Sequence, residues 1–232
     1  MYETLEITRD AGVATLWMNR PDVHNAFNEQ LIAELTAACR ELDADDSVRV
    51  MVLAGRGKSF SAGADLNWMR RAADASVEEN LHDARKLAGM LRTLAEMQKP
   101  TIARVHGAAL GGGMGLASAC DICIAGEGAV FATSEVKFGI IPSAISPYVI
   151  RAIGARQAHR YFQTAERISA ARAADLGLAH EAVPADQLDV TVHGVVTALL
   201  QGGPRSQAAA KDLIRAVADR PVSDEVVEED RK

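Results

Sequence analysis

Three features of the sequence have residue types suited to chemistry: one carboxylate and two runs of small residues. Glu135 follows an apolar stretch, within Thr133-Ser134-Glu135-Val136-Lys137-Phe138-Gly139-Ile140-Ile141-Pro142. Burial disfavours the charged form of a carboxyl and raises its pKa, which suits an acid/base working near neutral pH. The alternative is an exposed carboxylate beside Lys137. The first run of small residues is His106-Gly107-Ala108-Ala109-Leu110-Gly111-Gly112-Gly113-Met114-Gly115-Leu116. The apolar Thr101–Val105 precedes it, and small helix-forming residues, Leu116-Ala117-Ser118-Ala119, follow. This order predicts a strand, a glycine turn and a helix start. Helix N-termini carry unpaired N–H groups and the positive end of the dipole, and glycine lets a ligand approach them. A phosphate suits such donors, and so does the developing enolate oxygen of a thioester. Close helix–strand packing accounts for the same composition. The nucleotide pattern Gly-x-x-x-x-Gly-Lys-Ser/Thr is absent, and Gly-x-Gly-x-x-Gly also fails.

The second run is Phe60-Ser61-Ala62-Gly63-Ala64-Asp65-Leu66. It too reads as a strand end, small residues and a helix start, with Asp65 as the helix cap. Close approach to the backbone explains the small residues. Cys120-Asp121-Ile122-Cys123 has metal-like spacing, but no second pair completes a zinc site, so buried structural thiols are expected. No His/Cys/Asp/Glu set has ligand spacing, and no metal is expected. His106 reads as packing for the turn, and Arg70-Arg71 as surface residues. Ser61 has no evident His–Asp support as a nucleophile.

The elements that must position these groups follow from periodicity. Tyr2–Arg9 and Gly12–Met18 predict a hairpin around Asp10-Ala11-Gly12. Asn28 predicts a helix cap, with Leu31, Ile32, Leu35 and Ala38 on one stripe to about Leu42. Val48–Ala54 is continuously apolar, as in a parallel strand buried on both faces. The residues from Arg70 to Glu79 read as a mobile surface segment, and Leu81–Met97 as a long amphipathic helix. Short strands are expected at Ile122–Ala125 and Ala129–Ala132. Helices are expected on either side of Gly154, and another over Ala170–Leu176 capped by Gly177. A short strand over Leu178–Val183 and helices over Asp186–Leu200 and Pro204–Ala218 follow, with an acidic end, Asp224–Lys232, suited to open one more.

The chain has 232 residues, 48% of them hydrophobic, enough for one sizeable core. Its net charge of −6 and lack of a basic block argue against nucleic acid or an anionic membrane as main partner. No run is apolar enough to span a bilayer, and the N-terminus lacks signal-peptide character, so a cytoplasmic location is expected.

Four stretches together resemble the crotonase superfamily, the enoyl-CoA hydratase/isomerase family. They are Asn19-Arg20-Pro21 through Asn28, Phe60 through Leu66, Gly107 through Gly115 with Cys120-Asp121-Ile122, and Phe131 through Pro142. The resemblance implies an α/β fold: a spiral of repeated ββα units over residues 1–190, then a helical region for trimerisation over 191–232, which family chains usually extend further. It implies an acyl-CoA thioester as ligand and no cofactor, since coenzyme A is part of the substrate. It implies a homotrimer or a dimer of trimers. Backbone N–H groups matching Ala62 and Gly112 would hold the thioester oxygen. His24, Ala26, Ala62, Gly63, Ala64, Asp65, Leu66 and Gly112 would line the coenzyme A site. Trp68, Met69, Phe138 and Ile145 would shape the acyl pocket.

Hydratases of this family usually carry two glutamates. Glu135 matches the second, while Gly115 stands where the first is normally found. The residues Asn67–Arg71, Ser134-Glu135-Val136 and Pro142–Tyr148 are similar to the bacterial methylglutaconyl-CoA hydratase branch, which implies hydration of a branched enoyl-CoA. Isomerisation, which one carboxylate can serve, is the alternative. A non-catalytic coenzyme A binder is the third reading.

Overall fold

The computed structural model describes residues 2–218. The hairpin forms as β1 (Leu5–Asp10) and β2 (Val13–Met18), antiparallel, with Ala11 and Gly12 both at positive φ in the turn. Helix α1 (Glu29–Ala44) starts where Asn28 accepts a hydrogen bond from the Leu31 N–H. Strands β3 (Val50–Gly55), β4 (Thr101–Val105), β6 (Ile122–Gly126) and β9 (Glu181–Val183) extend the sheet in parallel from β2, in the order β1-β2-β3-β4-β6-β9.

The continuous apolar character of β3 now has a cause. Met51 and Leu53 face a core with Leu31, Leu35 and Leu42 of α1 and Met90, Leu91 and Leu94 of α3 (Val77–Ala95). Val50 and Val52 face the other way, against Leu188, Val192 and Val196 of α7 (Leu188–Gln201). Each such side chain is worth roughly 1.5–3 kcal/mol on burial, so both faces must be covered for β3 to sit in the sheet's interior.

A second, three-stranded sheet holds β5 (Ala108–Leu110), β7 (Val130–Ala132) and β8 (Ile168–Ser169), in the order β5-β7-β8. The sequence pattern did not suggest β5 or β8, because both are too short for alternation to be visible. Helix α4 (Gly112–Ala119) follows β5. It begins at the second glycine of the Gly111–Gly113 run, not at Leu116. The segment expected to be mobile is instead mostly helical: α2 (Leu66–Asp74) ends there and α3 begins at Val77. A capping box explains the early start, since Ser76 and Glu79 satisfy each other's backbone N–H groups.

Helix α5 (Ser146–Thr164) carries non-helical Gly154, with φ 75 and ψ 154, so it is two helical segments joined at that residue. Helix α6 (Ala170–Leu176) ends on Gly177 in the left-handed conformation. Helix α8 (Pro204–Val217) is pinned by Lys211, whose Nζ donates to Asp121 Oδ2 at 2.6 Å and to the Lys99 carbonyl at 3.0 Å. The helix expected from Asp224 lies outside the described residues. Among the described residues, no helix is long and apolar enough to cross a membrane.

Candidate active site

The two small-residue runs meet in space. Ser61 pairs with Ala109: its N–H donates to the Ala108 carbonyl and its carbonyl accepts from the Leu110 N–H, both at 2.9 Å. On the other side, Phe27 and Ala64 form a second bridge, with Phe27 N–H to Gly63 O at 2.6 Å and Asp65 N–H to Phe27 O at 2.8 Å. The loop 60–65 is thus clamped between the β5 strand and the 24–27 turn.

That turn is itself specified. His24 and Asn25 both adopt φ 54, a left-handed conformation that costs non-glycine residues of order 1–3 kcal/mol. Buried Asn25 offsets this: its Oδ1 accepts from the Arg20 N–H, and its Nδ2 donates to the Arg56 and Ser59 carbonyls. The His24 carbonyl then accepts the Ala62 N–H at 2.9 Å.

This last bond corrects an expectation. The Ala62 amide is committed to the protein and is not a free donor. The Ala64 N–H, two residues on, has no acceptor among the described residues, and neither does the Gly112 N–H in the first turn of α4. Ala64 is exposed and Gly112 half-buried, so both amides border open space. Gly112 is required there: a Cβ would lie 2.3 Å from Phe27 Cε2.

Asp65 caps α2, accepting from the Asn67 and Trp68 N–H groups, and pairs with Arg20 at 3.0 Å. Burial alone would raise its pKa, but Arg20 and the helix N–H groups lower it on balance. Its carboxylate is therefore engaged in structure.

Glu135 opens a short 3-10 turn, Glu135–Phe138. Its Oε1 is 3.2 Å from where a Cβ on Gly111 would stand, which places the carboxyl against the glycine turn beside Gly112. Its Oε2 is buried and has no partner. Desolvation raises its pKa, opposed only in part by a backbone hydrogen bond. Among the described residues Lys137 forms no ion pair with it. A buried polar atom without a partner is uncommon and calls for a reason.

These groups open on one cavity of about 870 Å³. Its walls include His24, Ala26, residues 62–66, Gly112 and Glu135, together with Trp68, Met69, Phe138 and Ile145. Sequence reasoning missed the contribution of α3, which supplies Asn80, Asp83, Ala84 and Leu87. Their spacing on one helical face is a visible signal, but only the fold shows what that face meets.

Gly115 does not leave a hole. A Cβ on it would lie 2.3 Å from Ile145 Cγ2 and 2.9 Å from Ile145 Cβ. The volume that a side chain at 115 would need is filled by Ile145, which is 2% exposed. His106 is structural, with Nε2 at 2.9 Å from the Gly57 carbonyl. Arg71 is held by Glu29 at 2.8 Å. Cys120 and Cys123 are buried free thiols, and burial pushes the Cys123 pKa up to about 12, which keeps it protonated and unreactive.

Residues 8–232 match the family signature described as Enoyl-CoA hydratase/isomerase. The chain is 35% identical to a probable enoyl-CoA hydratase of Mycobacterium bovis, over 99% of this chain and 88% of that one. It is 32% identical to a trans-2-decenoyl-[acyl-carrier-protein] isomerase of Streptococcus mutans, over 88% of this chain and 79% of that one. Among solved structures, an enoyl-CoA hydratase from Shewanella pealeana superimposes with a TM-score of 0.95 at 41% identity, covering 98% of this chain and 85% of that one.

Proposed function

Since this chain belongs to the enoyl-CoA hydratase/isomerase family, we propose that it hydrates a branched 2-enoyl-CoA, with methylglutaconyl-CoA as the substrate. The observation that carries this is the placement of one half-buried carboxyl, its buried Oε2 without a partner, beside two free main-chain donors. The thioester oxygen accepts hydrogen bonds from the Ala64 and Gly112 N–H groups. Ionised Glu135 takes a proton from water as the water oxygen bonds to the β-carbon. The C=C electrons move toward the thioester, and the resulting enolate oxygen is stabilised by the two donors. Glu135, now protonated, returns that proton to the α-carbon. One carboxyl serves both halves of the reaction, and protons balance.

Each preorganised donor is worth about 10²–10³-fold in such a step, and a positioned acid/base about 10²–10⁴-fold. A raised pKa brings Glu135 closer to the range where both protonation states are accessible near neutral pH. For the distal carboxylate of a glutaconyl chain, Arg70 and Lys137 at the cavity wall supply positive charge. The scheme needs no cofactor, because coenzyme A enters with the substrate. A homotrimer completes the proposal, supported by the exposed apolar Val190 of α7 and Leu213 and Ile214 of α8.

Gly115 favours a second reading. A lone carboxyl can move one proton between two carbons of an enoyl thioester, which is isomerisation. The test is loss of enoyl-thioester absorbance with crotonyl-CoA and methylglutaconyl-CoA, for native protein and Glu135→Gln, with products identified by NMR. A 3-hydroxyacyl product whose formation collapses in Glu135→Gln supports hydration. A shifted double bond without added water supports isomerisation. No turnover with either thioester sinks both.

A further inference from the structure

The filled volume above Gly115 points to a role for Ile145 beyond the absence of a carboxyl at position 115. Resting on the acyl-CoA reading above, we propose that Ile145 is the specificity residue for the β-carbon, and that the site takes enoyl thioesters bearing an alkyl substituent there.

Gly112 and Gly115 are three residues apart in α4, so they lie on one face with a separation of about 4.5 Å along the axis. Gly112 offers its N–H to the thioester oxygen. A group standing over Gly115 is therefore offset by about the reach from the thioester carbonyl to the β-carbon and its substituents. What stands there is the Ile145 side chain, and Ile145 lines the cavity. Leu91, whose Cδ2 is 3.6 Å from the same point, backs it. This wall offers dispersion contact and no hydrogen bond, so it suits a methyl or methylene group. It also excludes any side chain at 115. Rotation of Ile145 about χ1 moves Cγ2, but Cβ, 2.9 Å from the same point, is fixed by the backbone of Ile145, the N-cap residue of α5. Gly115 and Ile145 are thus a matched pair.

Two measurements test this without turnover. The first is calorimetric binding of saturated thioesters, butyryl-CoA against β-branched isovaleryl-CoA. Native protein is expected to favour isovaleryl-CoA, and Ile145→Ala to reduce that preference about tenfold, the usual scale for one methyl group in an apolar pocket. Ile145→Val, which keeps the branched β-carbon, is expected to retain most of it and covers the case of a poorly folded alanine variant. The second is thermal stability. Gly115→Ala is expected to lower Tm by roughly 3–10 °C, and to cost less in an Ile145→Gly background. An unchanged binding ratio in a folded Ile145→Ala, or no loss of Tm in Gly115→Ala, overturns the proposal. Failure of the acyl-CoA reading itself looks different: neither thioester binds the native protein.

Discussion

Glu34 and Glu135 are the same residue type in two regions of one molecule, and their surroundings drive them in opposite directions. Glu34, 7% exposed, sits where α1 meets the start of the chain. It accepts hydrogen bonds from the Glu3 N–H, the Thr4 N–H and hydroxyl, and Gln30 Nε2. Burial alone would raise its pKa, but those donors outweigh burial and lower it. Glu135 is desolvated too, but its Oε2 is unpartnered, and its pKa rises. A carboxylate saturated by the fold holds structure together. One left unsaturated beside a cavity is kept ready for a proton, at a cost to stability.

The sharpest way to break this contrast is Glu135→Gln, which should lower kcat by about 10²–10⁴-fold in enoyl-thioester turnover while the protein stays folded. Next is Ala64→Pro, which deletes one of the two free donors. A fall in kcat/KM of about 10²–10³-fold, with circular dichroism unchanged, is the expected result. At the other pole, Glu34→Ala strands the Glu3 and Thr4 donors and should cost about 2–4 kcal/mol of stability in urea titration, with kcat near native where the variant is folded.

The smallest effects are those of pH on stability, and they have opposite signs. The Glu135 pKa is raised on folding, so its contribution is greatest below the unfolded value of about 4.3 and is lost as pH rises through the folded value. Glu135→Gln should therefore melt at or above the native temperature at neutral pH, with the gap closing in acid. The Glu34 pKa is lowered, so its contribution is present above about 4.3 and is lost as pH falls through the folded value. The deficit of Glu34→Gln should shrink as the solution is acidified. Melting curves from about pH 2 to about pH 8, which bracket the unfolded value on both sides, would show both trends.

Much of the frame was legible along the chain because it depends on local chemistry. The Asn28 cap, the Gly177 cap, the break at Gly154 and the two-faced burial of β3 each follow from residue type and spacing. The early start of α3 was legible too, in Ser76 and Glu79, but a polar composition obscured it. Glu135 stood out as a carboxyl in an apolar setting. The lack of a partner for its Oε2 did not, since that depends on what other segments leave uncovered.

Residue types and their order therefore determined the strand–turn–helix units, the glycine approach at Gly112 and the presence of a single candidate acid. Tertiary structure decided which backbone donors are free: the His24 carbonyl, brought in by a turn 38 residues earlier in the chain than Ala62, takes the Ala62 N–H and leaves that of Ala64. It also decided what fills the space over Gly115. Hydrogen bonds and packed volumes between distant segments have no local signature, because each is set by where another part of the chain comes to rest.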